Sequence, residues 1–510
     1  MPDLPELYNV STLLDDNLQA GRGRKVAIYC GDESVTYDNL HARVCRMGRA
    51  LRSLGVAREQ RVLLVLNDTP VFPVAFFGAI RIGAVPAPIN PMLREDDYRH
   101  VVGDTGASVV IAEAMYVEKL LRALHGHPDA VTIVAAGEPI AGCMPLEELL
   151  AAQECDLAPA SSHRDDMAFW LYSSGSTGRP KGVIHLQHDI PYTCQTYARH
   201  ILQIHEDDLT FGRVLFHAYG LGNCLSFPFS VGASTVLYKG RPTPTGLLET
   251  IEEWRPTLFF SVPTLFNAIL NEPESRQFDL SSLRLCISAA EPLPAETWRR
   301  WKDAFGLEIL DGIGSTEMLH IYCSNRAGAV RPGSTGQPVP GYELRLVDRG
   351  GNVILGGGPG IVEVRGDSSA PAYWRQHARS QQTMRGEWVV TGDICRADED
   401  GFYWYEGRAD DMIKVGGEWV SPIEMENVLV AHPSVQEVAV VGISVEGITR
   451  TRAVIVLAPD HRASDALTRA LQDWCKDRLQ RYQYPHDVAY VDELPKTAAG
   501  KIQRFQLRKG

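Results

Sequence analysis

The sequence predicts an α/β protein: a large N-terminal domain of layered α/β subdomains, a β-rich subdomain, and a small α+β domain at the C-terminus. Three observations predict it. Short apolar runs of strand length alternate with helical spacing as far as about residue 400. From Gly328 to Tyr405 the runs become short strands separated by glycine-rich turns. A charged step, Gly407-Arg-Ala-Asp-Asp411, then precedes about 100 residues with a pattern of their own.

In order, 60–66 is an apolar run suited to a strand buried on both faces, followed by Asn67, Asp68 and Thr69 as a helix-capping cluster and a helix from Pro70 to Ile82. Runs at 107–112, 131–135, 234–238, 258–261 and 283–288 repeat the strand pattern. The β-rich part, about 329–407, contains strands at 342–347 and 360–365. The last part holds helices near 423–430 and 464–479 and strands at 437–441 and 453–457. The division is therefore 1–407 and 408–510.

Composition excludes several classes. With 510 residues, 45% hydrophobic and 22% charged, the chain can bury sizeable cores and is not disordered. A net charge of −13 repels nucleic acid and anionic lipid at long range, while a local site can still attract a small anion such as a nucleotide. The ten cysteines form no C-x-x-C pair, as expected of reduced thiols in a cytoplasmic protein. The N-terminus is acidic where a signal peptide is basic, and the apolar run at 70–80 is too short for a membrane span.

Chemistry concentrates in Tyr172-Ser-Ser-Gly-Ser-Thr-Gly-Arg-Pro-Lys-Gly182, between two apolar runs. Ser173, Ser174, Gly175, Ser176, Thr177 and Gly178 let backbone N–H groups approach phosphate oxygens, and Lys181 adds a point charge. Pro180 before the lysine and Gly182 after it exclude a Walker A loop. A solvated surface turn is the bland alternative, and the order of hydroxyls, glycines and Pro-Lys-Gly argues against it.

The segment resembles the phosphate loop of the adenylate-forming superfamily: acyl- and aryl-CoA ligases, peptide-synthetase adenylation domains and luciferases. Further segments match in the same order: Asp311-Gly-Ile-Gly-Ser-Thr-Glu317, Trp388-Val-Val-Thr-Gly-Asp393, Gly407-Arg-Ala-Asp-Asp411 and Pro495-Lys-Thr-Ala-Ala-Gly-Lys501. The resemblance implies that Thr316 contacts phosphate, Glu317 helps hold Mg²⁺ and Asp393 accepts from the ribose hydroxyls. Arg408 would lie near the ribose, Glu291, Asp311, Gly312 and Tyr405 would complete the nucleotide site, and Asp410 would be the pivot of a mobile C-terminal domain. Lys501 would be the catalytic lysine, and Lys414, Gly416 and Gly417 would face the pantetheine channel of CoA. ATP, Mg²⁺ and CoA are the implied cofactor and co-substrates.

Phe216-His-Ala-Tyr-Gly-Leu-Gly-Asn223 and the stretch from Asp311 to Val330 resemble benzoate-CoA ligases and their hydroxy- and aminobenzoate relatives. By that resemblance the aryl ring lies against His217, Ala218, Tyr219, Gly220, Ala289, Ala290, Gly312, Ile313, Gly314, His320 and Ile321, with His217 also a candidate catalytic group. Small residues beside aromatics suit a flat slot for a planar ring. Two positions depart from the family pattern: His217 stands where a second Phe is expected, and Ala290 where a Gly is expected. An imidazole can hydrogen-bond a ring hydroxyl or amine, so the expected substrate is a substituted benzoate. The expected reaction is AMP-forming acid–thiol ligation by a monomer or homodimer without nucleic-acid or membrane partners. Delivery of the acyl group to a carrier protein's phosphopantetheine is the alternative. A catalytically dead sensor of aryl acids is the alternative from a different class.

Overall fold

The fold was examined in a computed structural model that describes residues 4–127, 130–173, 179–355, 358–409, 411–415, 418–445, 448–459, 461–480, 483–496 and 502–508. Two α/β sheets organise the N-terminal part. The first is a parallel sheet in the order Val85–Pro88, Arg61–Val65, Val109–Glu113, Thr132–Ala136, Met144–Pro145. Val62, Leu63, Leu64 and Val65 are all buried because helices cover both faces of the sheet. Pro86 and Pro88 sit on its edge strand, where a missing N–H leaves no ladder bond unmade.

The second sheet has nine strands, with a parallel centre formed by Ile309–Gly314, Leu285–Ser288, Leu258–Ser261, Leu209–Gly212 and Ser234–Leu237. Antiparallel strands finish both edges. A hairpin of Met167–Ser173 and Lys181–Leu186 lies beside these sheets, with Ser173 paired to Lys181. An antiparallel sheet of Glu343–Val347, Gly360–Arg365, Trp388–Ala397, Met384–Arg385 and Tyr403–Arg408 makes the β-rich part. Between the two, Gln337–Pro338 pairs with the nine-stranded sheet while Gly336 bridges to Tyr403 of the β-rich part. Its last strand runs through Arg408, which pairs with Asp393.

The remaining segment packs helices Pro422–Val430 and Asp465–Lys476 with strands Val435–Val445, Ile448–Leu457 and Asp487–Tyr490 around its own core of Met425, Leu429, Val440, Ile455 and Leu471. No helix among the described residues is long and apolar enough to cross a membrane.

The apolar helix is Val71–Arg81, buried along nearly its whole length. The expected capping cluster does something else. No side chain caps this helix. Asn67 and Thr69 bond to Glu113, and Asp68 accepts the N–H groups of Val214 (2.7 Å) and Leu215 (2.8 Å). A carboxylate that could have capped its own helix instead ties the two α/β sheets together.

Candidate active site

Lys181 opens the second strand of the hairpin, and its side chain is 8% exposed. Its ammonium lies 3.1 Å from Glu317 Oε1 and 3.6 Å above the ring of Tyr373, whose hydroxyl donates to the same carboxylate oxygen at 2.7 Å. Glu317 reaches this point because Ile309–Gly314 ends in a short helical turn, Thr316–Met318, capped by the Ser315 hydroxyl. Burial pushes the Glu317 carboxyl up, but the charge of Lys181 and the Tyr373 hydroxyl outweigh it and hold the group below its usual range. Burial lowers the Lys181 pKa, helped by the positive charges of Arg379 and Arg408.

Arg408 belongs to the same charged cluster. It donates to Asp393 Oδ1 at 2.8 Å and to the Thr391 carbonyl at 2.9 Å, and Asp393 raises its pKa. Gly392, at φ +75°, lies where a side chain would touch the guanidinium: a Cβ there would be 3.0 Å from Arg408 Nη2. The Tyr405 hydroxyl is raised far above its usual range by burial and by Asp393. Glu291 accepts from Thr264 at 2.5 Å at the edge of the cleft. Asp311 is buried, and burial holds its carboxyl well above the usual range.

Of the residues expected around the aryl ring, four lie in the short helix Ala218–Leu221 and at its cap, His217. His217 Nδ1 accepts the N–H of Tyr219 at 3.4 Å, so its neutral tautomer carries the proton on Nε2. The Tyr219 hydroxyl donates to the carbonyls of Ile287 (3.1 Å) and Ser261 (3.4 Å), which fixes its ring across the strand ends. Gly220 must be glycine, since a Cβ would stand 2.2 Å from the Arg213 carbonyl. Gly312 and Gly314 lie against Ile321 and His320 across the antiparallel pair of strands, where a Cβ would stand 2.8 Å from Ile321 Cγ2 and 2.6 Å from the His320 carbonyl. Ala218, Ala289, His320 and Ile321 are buried, and Ile313 is half-buried. Ala290 is exposed, just after strand Leu285–Ser288, and holds φ +74°. That backbone favours glycine, and an L-residue there stores strain of about 1 kcal/mol.

The structure thus joins Lys181, Glu317, Arg408 and Asp393 into one charged cluster. Ser174, Gly175, Ser176, Thr177, Gly178, Asp410, Gly416, Gly417 and Lys501 lie outside the described residues. Lys414 lies in the strand Ile413–Val415. Two contributors were missed in the sequence: Tyr373, which holds Glu317, and Asp68, which holds the loop before His217. Neither carries a local signal, because each acts on a residue far away in the chain.

This site architecture is that of an enzyme that activates acids with a nucleotide. The chain belongs to the AMP-binding enzyme family: the family model matches residues 15–374, and that of the AMP-binding enzyme C-terminal domain matches 424–501. Among its relatives, the benzoate–CoA ligase of Thauera aromatica is 45% identical over 99% of this chain and 96% of its own length. The 4-hydroxybenzoate–CoA/benzoate–CoA ligase of Rhodopseudomonas palustris is 42% identical over 98% of this chain and 94% of its own. Among solved structures, an anthranilate CoA ligase, AuaEII, in complex with anthranoyl-AMP superposes with TM-score 0.96 at 42% identity, covering 99% of this chain and 98% of that one. A benzoate CoA ligase from Burkholderia xenovorans superposes with TM-score 0.92 at 43% identity, covering 98% and 100%.

Proposed function

We propose that this chain is an ATP-dependent aryl-CoA ligase, and that its preferred acid is a benzoate bearing a hydroxyl or amino substituent. The observation that carries the reading is the buried Lys181–Glu317–Tyr373 cluster at the turn that follows strand Ile309–Gly314, the same strand whose Gly312 and Gly314 pack against Ile321 and His320. Full-length identity to ligases named for benzoate and hydroxybenzoate supports the aryl class, and their names favour CoA over a carrier protein as acceptor.

A carboxylate is a poor acyl donor because oxide is its leaving group. In the first half-reaction a carboxylate oxygen bonds the α-phosphorus of ATP while the bond to the bridging oxygen breaks and pyrophosphate leaves. Catalysis here is positioning and charge stabilisation. Lys181, the hydroxyls and N–H groups of 173–178 and Thr316 meet phosphate oxygens, and Asp393 with Arg408 orients the ribose. Glu317 is an ionised, shielded carboxylate suited to a hard cation held mainly by phosphates and water, so it would hold Mg²⁺, which when bound neutralises phosphate charge. In the second half-reaction the thiol of CoA attacks the acyl carbonyl. A C–S bond forms, the C–O bond to AMP breaks, and the thiol proton goes to solvent. Lys501 serves the first half-reaction. A turn of the C-terminal domain about 408–411, with Asp410 as pivot, then brings Lys414, Gly416 and Gly417 to the thiol. The free cysteines fit a reducing, cytoplasmic location.

The test is CoA-dependent AMP production across benzoate and its hydroxy- and aminobenzoates. AMP should appear together with aryl-CoA, and a substituted acid should lead. His217→Phe should move the preference toward benzoate, since a hydrogen bond offered to one substrate and unmet by another is worth about 1–3 kcal/mol. Absence of AMP with every aryl acid overturns the ligase reading. An identical ranking in wild type and mutant overturns the substituent reading alone.

A further inference from the structure

The segment expected to meet phosphate joins the hairpin strands Met167–Ser173 and Lys181–Leu186, and its sequence is rich in glycine and hydroxyl residues. A segment of that composition has many backbone conformations open to it, so its placement depends on what holds its two stems. One helix holds both. It is Glu95–Thr105, which follows the edge strand Val85–Pro88 of the first sheet. His100 and Asp104 lie one turn apart on this helix and share a face. His100 Nε2 donates to the carbonyl of Pro180 at 3.1 Å, just before Lys181. Asp104 Oδ2 accepts from the hydroxyl of Tyr172 at 2.7 Å, just before Ser173.

The same helix also reaches the segment that carries Tyr373. The Trp374 indole N–H donates to the carbonyl of Asp104 at 3.0 Å, and the Trp374 backbone N–H donates to the carbonyl of Gly182 at 2.9 Å. Trp374 follows Tyr373, whose hydroxyl holds Glu317 and whose ring lies under Lys181. Asp104 therefore meets one stem through its carboxylate and the Tyr373 segment through its carbonyl. Burial and the charge of Asp104 keep the Tyr172 hydroxyl protonated, so it serves as a donor. The Tyr172 ring lies against Gly182, where a Cβ would stand 3.4 Å from Tyr172 Cζ.

We propose that Asp104 and His100 are positioning residues for adenylation: they set both stems of the segment 173–181 and, through Trp374, the Lys181–Tyr373–Glu317 cluster, so that these groups meet the nucleotide's phosphates in one register. The inference rests on the ATP-dependent ligase reading and adds to it two residues that act through others. Positioning is most of what a protein contributes to transfer at phosphorus, so a displaced stem costs rate even where every phosphate-binding group is present. The aryl-adenylate carries one phosphate where ATP carries three, and its reaction with CoA depends less on the same register.

The experiment measures aryl-acid-dependent ATP–pyrophosphate exchange and, separately, thioester formation from supplied aryl-adenylate and CoA. The proteins are wild type, Asp104→Ala, Asp104→Asn, Tyr172→Phe, the double variant Asp104→Ala with Tyr172→Phe, His100→Ala and His100→Gln, each also followed by thermal unfolding. Asp104→Ala and Tyr172→Phe should each lower kcat/KM for ATP about tenfold or more, the effect of losing one hydrogen bond to a charged group. The double variant should fall less than about twofold below the worse single one, because both changes remove the same contact. Asp104→Asn keeps an acceptor for Tyr172 and His100→Gln keeps a donor for Pro180, so each should recover most of what its alanine variant loses. KM for the aryl acid and the rate with supplied adenylate should change less than about threefold. Should Asp104→Ala fail to fold, Tyr172→Phe, which keeps the ring, decides the same question. Unchanged exchange in Tyr172→Phe and His100→Ala overturns the proposal. Equal loss of both half-reactions overturns it as well, since the helix then supports only the fold, and so do additive losses in the double variant. Wild-type protein that shows no exchange with any aryl acid overturns the ligase reading instead.

Discussion

Lys181 and Glu317 form an ion pair at 3.1 Å beneath the hydroxyl of Tyr373. The cation expected to meet phosphate thus pairs with the carboxylate expected to hold the metal. Each keeps the other charged in a place where burial opposes charge on both. In the proposed mechanism, nucleotide and metal would each offer a replacement partner, so that the pair could open without stranding either charge. Glu317→Gln should lower the rate of aryl-acid-dependent pyrophosphate release about 10²–10³-fold, the usual loss for one electrostatic contact in a reacting site. Tyr373→Phe removes one hydrogen bond to a charged group, worth about 1.5–3 kcal/mol, and should shift the Mg²⁺ dependence of the same assay to higher concentration. An unchanged Mg²⁺ titration in Tyr373→Phe would show that the hydroxyl only packs.

Much of the frame was legible because strands buried on both faces write themselves as short apolar runs. The run at 258–261 is the strand Leu258–Ser261, and that at 107–112 is the strand Val109–Glu113, which begins two residues later and ends one later. The charged residues of the site were legible because each sits in a compact motif. What escaped were contacts between distant residues. Asn67, Asp68 and Thr69 read as a cap from local chemistry, yet their partners are Glu113 and the loop at 214–215. The π-turns at Cys194–Leu202 and Gly222–Ser226 escaped too, since their spacing differs little from that of an ordinary helix.

Asp68 positions the loop before His217 from a distance. It accepts two N–H groups from a loop in which Val214, a β-branched residue, holds φ +68°. Such a backbone is strained and persists only where its surroundings hold it. Asp68→Ala leaves two buried donors unmet, about 1–3 kcal/mol each, and frees the loop that places His217. KM for the aryl acid should rise about tenfold or more while KM for ATP changes little. Equal changes in both would mean that Asp68 supports only the fold.

Stability should depend on pH through His41, Asp15 and Arg81. Asp15 accepts from Arg81 at 2.7 and 2.9 Å and lies 3.1 Å from His41 Nε2. The hydrogen bond to Asp15 raises the His41 pKa from 6.5 to about 9. Burial pushes the Asp15 carboxyl up, but hydrogen bonds from Arg81 and His41 outweigh it and hold it well below the usual range. The His41 contribution is therefore complete below pH 6.5 and disappears as pH rises through about 9. The Asp15 contribution is present above pH 3.8 and is lost as pH falls below it. Urea unfolding of His41→Gln against wild type should show a deficit of about 1–2 kcal/mol at pH 6 that shrinks by pH 9.5, discounted for partial exposure. A deficit constant across that range would mean that His41 contributes packing alone.

Lys501 closes a motif, Pro495-Lys-Thr-Ala-Ala-Gly-Lys501, in a position where an isolated lysine would ordinarily be a solvated charge near the chain end. The neighbouring Lys496 is already engaged: its ammonium pairs with Glu437 at 2.8 Å. By its match to the family motif, Lys501 is the lysine proposed to meet the α-phosphate and the acid's carboxylate. Adenylation draws negative charge onto the phosphate oxygens, whereas attack of the thiol on the finished aryl-adenylate develops charge at the acyl carbonyl. A positive charge that serves only the first step predicts an asymmetry. Lys501→Ala should reduce pyrophosphate release about 10²–10³-fold, yet convert chemically supplied aryl-adenylate and CoA to thioester at close to the wild-type rate. Asp410→Pro should give the opposite pattern, since fixing φ at the pivot restrains the turn between half-reactions and leaves adenylation standing. Measured side by side, the two variants separate a lysine that acts from a domain that moves. If both variants lose the two half-reactions equally, the loss reflects misfolding or a misplaced hinge, and neither residue divides the cycle.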